Sequence, residues 1–238
     1  MNVLFLDQFK KKYFNLILKY PFIVNYIANK QSQNYWINQK NWRVKDIFYK
    51  RAIKQEQFLK KNFIPLLNKN SIICDLACAC GDFAFIVAPF VKKIEGFDLS
   101  SKMVKLANKT ARDKKINNTH FYEANINNYF FKRKYDHFMC LGLFTYIFNN
   151  KDANNIIKKI SDSIKINGYL VIKDTLTTEK NNIIHLVFND PYSANYRSKK
   201  EYLKLFKEKN FSFIKETKLS KGNDDRFFSY CAIFQKTK

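Results

Sequence analysis

From Ser71 onward the chain alternates short apolar runs with longer segments of helical period, and this alternation restricts its possible folds more than any other feature. The runs SIICDLA, KIEGFD, HFYEA, YDHFMCLGL and GYLVIKD have the length of strands. Between them lie FAFIVAPFV, SKMVKLANKTARDKK, INNYFF and DANNIIKKISDSIKI; three of these have helical spacing, and INNYFF is left unassigned. Strands and helices in alternation predict parallel strands joined by crossover helices. Two further runs, FSFIKETKL and RFFSYCAIFQ, are separated only by the turn SKGNDD and should form an antiparallel pair. The expected class is α/β, with seven strands in one sheet: five parallel units and a C-terminal hairpin.

Residues 1–68 read differently and are expected to form an N-terminal helical cap, ahead of a domain over 69–238. FKKKYFNLILKYPFIVNYI and WRVKDIFYKRAIKQEQFLKKNFIPLL place apolar residues three and four apart, as amphipathic helices do. Pro21 is expected to interrupt the first, and the polar stretch NKQSQN to separate it from the second. The first helix has the basic and apolar faces of a membrane-surface helix, but docking on the protein's own sheet is the favoured reading.

Composition narrows the partners. Pro and Gly total nine residues, no repeat is visible, and 46% of the chain is hydrophobic, so one compact unit is expected. A net charge of +23 ordinarily suggests nucleic acid. Here only Arg43, Arg51, Arg112, Arg133, Arg197 and Arg226 are arginines among 43 basic residues, and the lysines are scattered over the whole chain. Arginine is the better bidentate phosphate ligand, so a solvated lysine surface is the favoured reading and nucleic-acid binding is disfavoured. No stretch reaches the roughly 18 apolar residues of a membrane span. The first residues lack the pattern of a signal peptide and the cysteine count is odd, which predicts a reducing cytoplasm. A monomer or homodimer is expected.

The stretch ICDLACACGDF places Cys74, Cys78 and Cys80 within seven residues. A metal reading is weak, because Cys78 and Cys80 are too close for the usual C-x2-C pair, and His120, His137 and His185 are scattered. The favoured reading is a strand, a tight turn and a helix, with small residues at Ala77, Ala79 and Gly81 that let a ligand approach the backbone. A dinucleotide fingerprint would need a third glycine where Asp82 stands, so a nicotinamide cofactor is disfavoured.

The segment DLACACGD, from Asp75 to Asp82, resembles motif I of class I S-adenosylmethionine-dependent methyltransferases, as in D-L-A-C-G-T-G-D. The similarity extends from about Ser71 to the end of the chain: IEGFDLSSKMVKLA looks like the second strand with its acidic end, FYEANI like the third, YDHFMCLGLFTYI like the fourth, and KINGYLVIKD like the fifth. This resemblance implies a Rossmann-like fold, S-adenosyl-L-methionine as cofactor, and methyl transfer. It implies cofactor contacts from Asp75, Ala77, Ala79, Gly81, Leu99, Met103, Ile126 and Cys140. Asp98, 23 residues beyond Asp75, would accept the ribose hydroxyl protons. Asn125, where aspartate is usual, would meet the adenine edge, and Arg51 would hold the cofactor carboxylate. Ala79 replaces a glycine of the motif, which costs about 1 kcal/mol if its φ is positive.

The acceptor would lie beyond the fourth and fifth strands, where Tyr146, Asp174 and His185 are the candidate catalytic residues. Tyr192, Tyr196 and Arg197 are candidates to close over the substrate, with Ser198 a candidate helix cap. His137 falls inside the fourth strand, where a structural role is favoured, and Trp36 and Trp42 read as packing of the cap. NDPY over 189–192 differs from the N-P-P-Y of amino-methylating nucleic-acid enzymes in its single proline and its place after the fifth strand. The leading expectation is methylation at O or N of a small polar metabolite of sugar, nucleotide-linked or amine type. The alternatives are an RNA methyltransferase and a non-catalytic cofactor-binding protein.

Overall fold

The computed structural model describes residues 2–4, 20–38, 46–186, 192–207, 209–221 and 224–238, with backbone alone at 2–4, 21, 46–51 and 221. In chain order the elements are β1 (Asn2–Leu4), α1 (Pro21–Asn38), α2 (Asp46–Phe58), β2 (Ile72–Leu76), α3 (Asp82–Val87), β3 (Lys93–Asp98), α4 (Ser101–Asp113), β4 (Thr119–Glu123), β5 (Tyr135–Leu141), α5 (Asn150–Ser163), β6 (Ile164–Thr177), β7 (Ile183–Leu186), β8 (Ser193–Tyr196), α6 (Lys199–Lys207), β9 (Phe211–Lys221) and β10 (Phe227–Lys236). Seven strands form one sheet in the order β4-β3-β2-β5-β6-β10-β9. Strands β2 to β6 pair in parallel, and β10 runs antiparallel between β6 and β9. This is the sheet the alternation predicts. Its order reverses direction between β2 and β5, which opens a crevice at their carboxyl ends.

The central strands are buried on both faces, as parallel strands covered by helices must be. Ile73, Cys74 and Leu76 of β2 and Phe138, Met139 and Cys140 of β5 have no exposed surface. Along β6 the side chains alternate: Leu170 and Ile172 enter the core with Phe138 and Ile160, while Val171 enters the other with Ile73 and Met139. Each fully buried large apolar side chain contributes about 1.5–3 kcal/mol. The helices start where short polar side chains cap them. The Met103 N–H donates to Ser100 Oγ (3.3 Å) at α4, and the Asp152 N–H donates to Asn149 Oδ1 (2.7 Å) at α5. At α6 the Glu201 N–H donates to Ser198 Oγ (3.4 Å), the cap read from the sequence.

The N-terminal region departs from expectation. Pro21 does not break a helix but begins α1, where its missing N–H costs nothing. NKQSQN is not a separator: it runs inside α1, because Val24, Ala28 and Ser32 share a buried face and the stretch contains no helix breaker. That face packs on Phe148, Ile184 and Leu186. The region is not wholly helical either, since β1 pairs in parallel with β7 and β7 pairs antiparallel with β8, making a small second sheet. Strands of three and four residues are too short to show a period, so the sequence pattern missed this sheet. Residues 5–19, with most of the first predicted helix, lie outside the described residues, as do Trp42, Arg43 and 189–191.

His137 is a core residue of β5. Its Nδ1 accepts the Tyr169 N–H (3.0 Å), which makes Nε2 the protonated nitrogen, 3.3 Å from Ser71 Oγ. Burial pulls its pKa down to about 4. The unfolded chain therefore binds a proton that the folded chain does not between about pH 6.5 and 4, and stability falls as pH drops through that window, by up to about 3 kcal/mol. Urea denaturation at pH 7.5 and pH 5 should show about 2 kcal/mol of this loss, and His137→Gln should flatten it.

Candidate active site

The turn between β2 and α3 is left-handed at alternate residues, with φ of 56° at Ala77, 47° at Ala79 and 80° at Gly81. A side chain at Gly81 would be strained by that φ and would push on the Phe121 ring, since a Cβ there would stand 2.7 Å from Phe121 Cζ. The turn is tied to the end of β3 by two bonds, from the Cys78 N–H to the Phe97 carbonyl (3.2 Å) and from the Ala79 N–H to Asp98 Oδ2 (2.9 Å). Asp98 Oδ1 accepts the Ser100 N–H (2.9 Å), so one carboxylate joins the turn, the strand end and the start of α4. Burial pushes the Asp98 pKa up while the backbone donors pull against it. Asp75, buried at the end of β2, is pushed well above the carboxylate range by burial and then by Asp98. The thiols near the turn are held up likewise by burial, and Cys80 Sγ donates to Asp82 Oδ2 (3.3 Å).

A cavity opens above this turn. Of the sequence-predicted cofactor residues, Asp75, Ala77, Ala79, Asp98, Leu99, Asn125 and Ile126 line it. Gly81, Met103 and Cys140 do not. Gly81 serves the turn, and Met103 and Cys140 point into the core, where they are 1% and 0% exposed. The Arg51 side chain lies outside the described residues. Gln55, one helical turn further along α2, lines the cavity; it is 4% exposed, and among the described residues its Nε2 has no hydrogen-bond partner. Asn125 Oδ1 accepts the Asn127 N–H (3.1 Å), which fixes the amide and leaves its second lone pair and its N–H groups for a ligand.

The opposite wall was not legible in the sequence. Asn29, Ser32, Gln33 and Trp36 of α1 line it, together with Leu143, Ile147 and Lys173. The spacing 29, 32, 33, 36 is that of one helix face, a signal hidden by the polarity of NKQSQN. Trp36 is therefore not merely packing of a cap. Its ring meets Tyr146 (4.7 Å between centroids) and Tyr35 (5.0 Å), and Tyr192 closes the group against Tyr35 (5.7 Å) and Tyr146 (6.0 Å).

The catalytic candidates separate. Tyr146 lines the cavity, and burial raises its pKa above the ordinary phenol value. Asp174 does not reach the cavity: it is 1% exposed and accepts from the Thr145 N–H (2.8 Å), Thr145 Oγ1 (2.8 Å) and Tyr202 OH (2.5 Å). His185 sits in β7 against the Tyr192 ring, away from the cavity lining. Arg197, read as a substrate contact, is buried instead, and donates to the Phe144 carbonyl (2.6 Å), the Ile147 carbonyl (2.7 Å) and Asn150 Oδ1 (3.2 Å). Tyr192 and Tyr196 exchange a hydroxyl hydrogen bond (3.0 Å) behind Tyr146 and do not line the cavity.

A family described as a methyltransferase domain matches residues 67–221, more than half of the chain. The protein belongs to that family. Solved structures agree on the fold. A S-adenosylmethionine-dependent methyltransferase from Clostridium acetobutylicum is 16% identical, covers 78% of this chain and 92% of its own, and superposes with a TM-score of 0.63. N-methyltransferase NodS from Bradyrhizobium japonicum, in complex with S-adenosyl-L-homocysteine, is 13% identical over 89% of this chain and all of its own, with a TM-score of 0.64. Geranyl diphosphate C-methyltransferase from Streptomyces coelicolor is 14% identical over 88% and 98%, with a TM-score of 0.66. No curated protein matches the sequence. The chain is a class I S-adenosylmethionine-dependent methyltransferase.

The methyltransferase's own residues fit that cofactor. A turn of small residues permits close approach, a buried carboxylate stands at the end of β3, and Phe97, Leu99, Ala124 and Ile126 give an apolar slot beside Asn125. The strained alanines do not have to distort to receive it. Their positive φ is already present, so the penalty at Ala79 falls on folding stability and not on cofactor affinity. Ala79→Gly should therefore raise the unfolding free energy by about 0.5–1 kcal/mol, the left-handed strain less the added flexibility of the unfolded chain. Denaturation should show that gain, and calorimetry should find S-adenosylhomocysteine affinity unchanged.

Proposed function

We propose that this methyltransferase methylates the nitrogen of a small amine, and the reading is carried by the three base candidates on the acceptor side, none of which is placed to deprotonate a hydroxyl. Bound S-adenosylmethionine supplies an activated methyl group, so the protein has mainly to align the acceptor. A hydroxyl acceptor needs its proton removed, whereas an amine in its neutral form brings its own lone pair. Among the described residues, none of the three base candidates suits a hydroxyl. His185 is off the cavity, Asp174 is sealed beneath three donors, and the Tyr146 phenol stays protonated at neutral pH because burial raises its pKa. The aromatic wall of Trp36 and Tyr146 also favours the cation that forms on nitrogen as the neutral amine takes the methyl group. The wall that α1 places on one side of the cavity supports a metabolite over a polymer.

On this reading Asp98 accepts the ribose hydroxyl protons and Asn125 meets the adenine edge. Gln55, one turn along α2 from Arg51, is the donor to the cofactor carboxylate, since among the described residues its buried Nε2 has no partner. Acceptors differing in one group test the amine. Tyramine should yield S-adenosylhomocysteine where tyrosol does not, and phenethylamine where phenethyl alcohol does not; turnover of the alcohols with the amines inert would overturn it. Gln55→Leu tests the donor. It should weaken S-adenosylhomocysteine by about tenfold, the worth of a hydrogen bond to a charged group, and leave methylthioadenosine, which has no carboxylate, unaffected.

A further inference from the structure

The wall that faces the acceptor is packed on one side only: Val24 and Ala28 of α1 meet Phe148, Ile184 and Leu186, and beside them opens a groove of about 390 Å³ bordered by Asn25, Phe148, Asn149, Asn150, Asn182 and Asn195. Apolar packing holds that one side, and directional hydrogen bonds fix the register of the rest. Those bonds come from alternate residues of one short strand. Ser193 Oγ donates to the Ala28 carbonyl of α1 (2.8 Å), and Asn195 Nδ2 donates to the Phe148 carbonyl (2.8 Å). Arg197, just beyond β8, donates to the Phe144 and Ile147 carbonyls (2.6 and 2.7 Å) on either side of Tyr146. All three donors are buried, at 1%, 4% and 1% exposure, and their two-residue spacing points them to the same side of the strand. The strand is itself held to the main sheet where the Thr177 N–H of β6 donates to the Arg197 carbonyl (3.0 Å).

We propose that Ser193, Asn195 and Arg197 are positioning residues: a latch that fixes α1 and the Phe144–Phe148 segment relative to each other and so sets the acceptor side of the cavity. The small sheet is then the part of the fold that determines which acceptor fits, while the seven-stranded sheet holds the cofactor. Ser193 and Asn195 donate to Ala28 and Phe148, outside the cofactor turn, so the two roles are separable.

Ser193→Ala and Arg197→Lys, made in the full chain with Trp42→Phe so that Trp36 is the lone tryptophan, test the latch. Loss of one buried hydrogen bond should speed amide exchange in 24–38 and 144–148 by about fivefold and expose Trp36 to acrylamide quenching. S-Adenosylhomocysteine affinity should not change, and Ser193→Thr should restore protection. With an amine acceptor the variants should raise the acceptor KM and leave the S-adenosylmethionine KM alone. The kinetic arm rests on the amine reading; the exchange and quenching arms need no acceptor, so the two failures are distinguishable. Unchanged exchange and quenching in both variants would overturn the latch. So would a loss of cofactor affinity in step with exchange, because that pattern belongs to a general loss of stability.

Discussion

The Asp98 carboxylate is the point on which the site depends. Its two oxygens hold the Ala79 N–H of the first turn and the Ser100 N–H at the start of α4, so the turn, the end of β3 and the following helix keep one arrangement. The turn needs such an anchor because two alanines in it hold the left-handed backbone that suits glycine. A buried carboxylate with backbone donors is costly to place, and burial does raise its pKa. That cost is met by a folded sheet that brings β2 and β3 side by side in parallel register, with Leu76 opposite Phe97.

The other half of the cavity is built on different principles. Beside Lys173 of β6, its outer wall comes from α1 and the segment after β5, and both are tied by hydrogen bonds to the small sheet and Arg197. Arg197 shows how chemistry and architecture exchange places. An arginine near a substrate cavity looks like an anion contact, yet here its guanidinium is spent on two backbone carbonyls and an asparagine. Asp174 likewise holds Thr145 and Tyr202 in place of a proton. What remains to face the acceptor is aromatic and neutral-polar, with Lys173 at its edge.

Legibility followed the length of the pattern. The five parallel strands and the hairpin were readable because each has a run long enough to show its period, and the cofactor turn because small residues alternate from Ala77 to Gly81. The small sheet was not, since three- and four-residue strands carry no period. The helix face of Asn29, Ser32, Gln33 and Trp36 was obscured by its own polarity: a helix that lines a cavity with amides looks like a linker when only apolar spacing is counted. His185 and Arg197 were placed correctly along the chain and wrongly in space.

The sequence by itself determined the α/β class, the parallel order and the chemistry of the cofactor turn, because these depend on local periodicity and on steric limits at single residues. Only the tertiary structure decided which polar groups reach the cavity and which are consumed within the core. Asp174, Arg197 and Asp98 are equally ionisable in the sequence. Their roles differ because burial charges every unpaired polar group a penalty, and which carbonyls and N–H groups lie within reach to remove it is set by contacts between residues far apart in the chain.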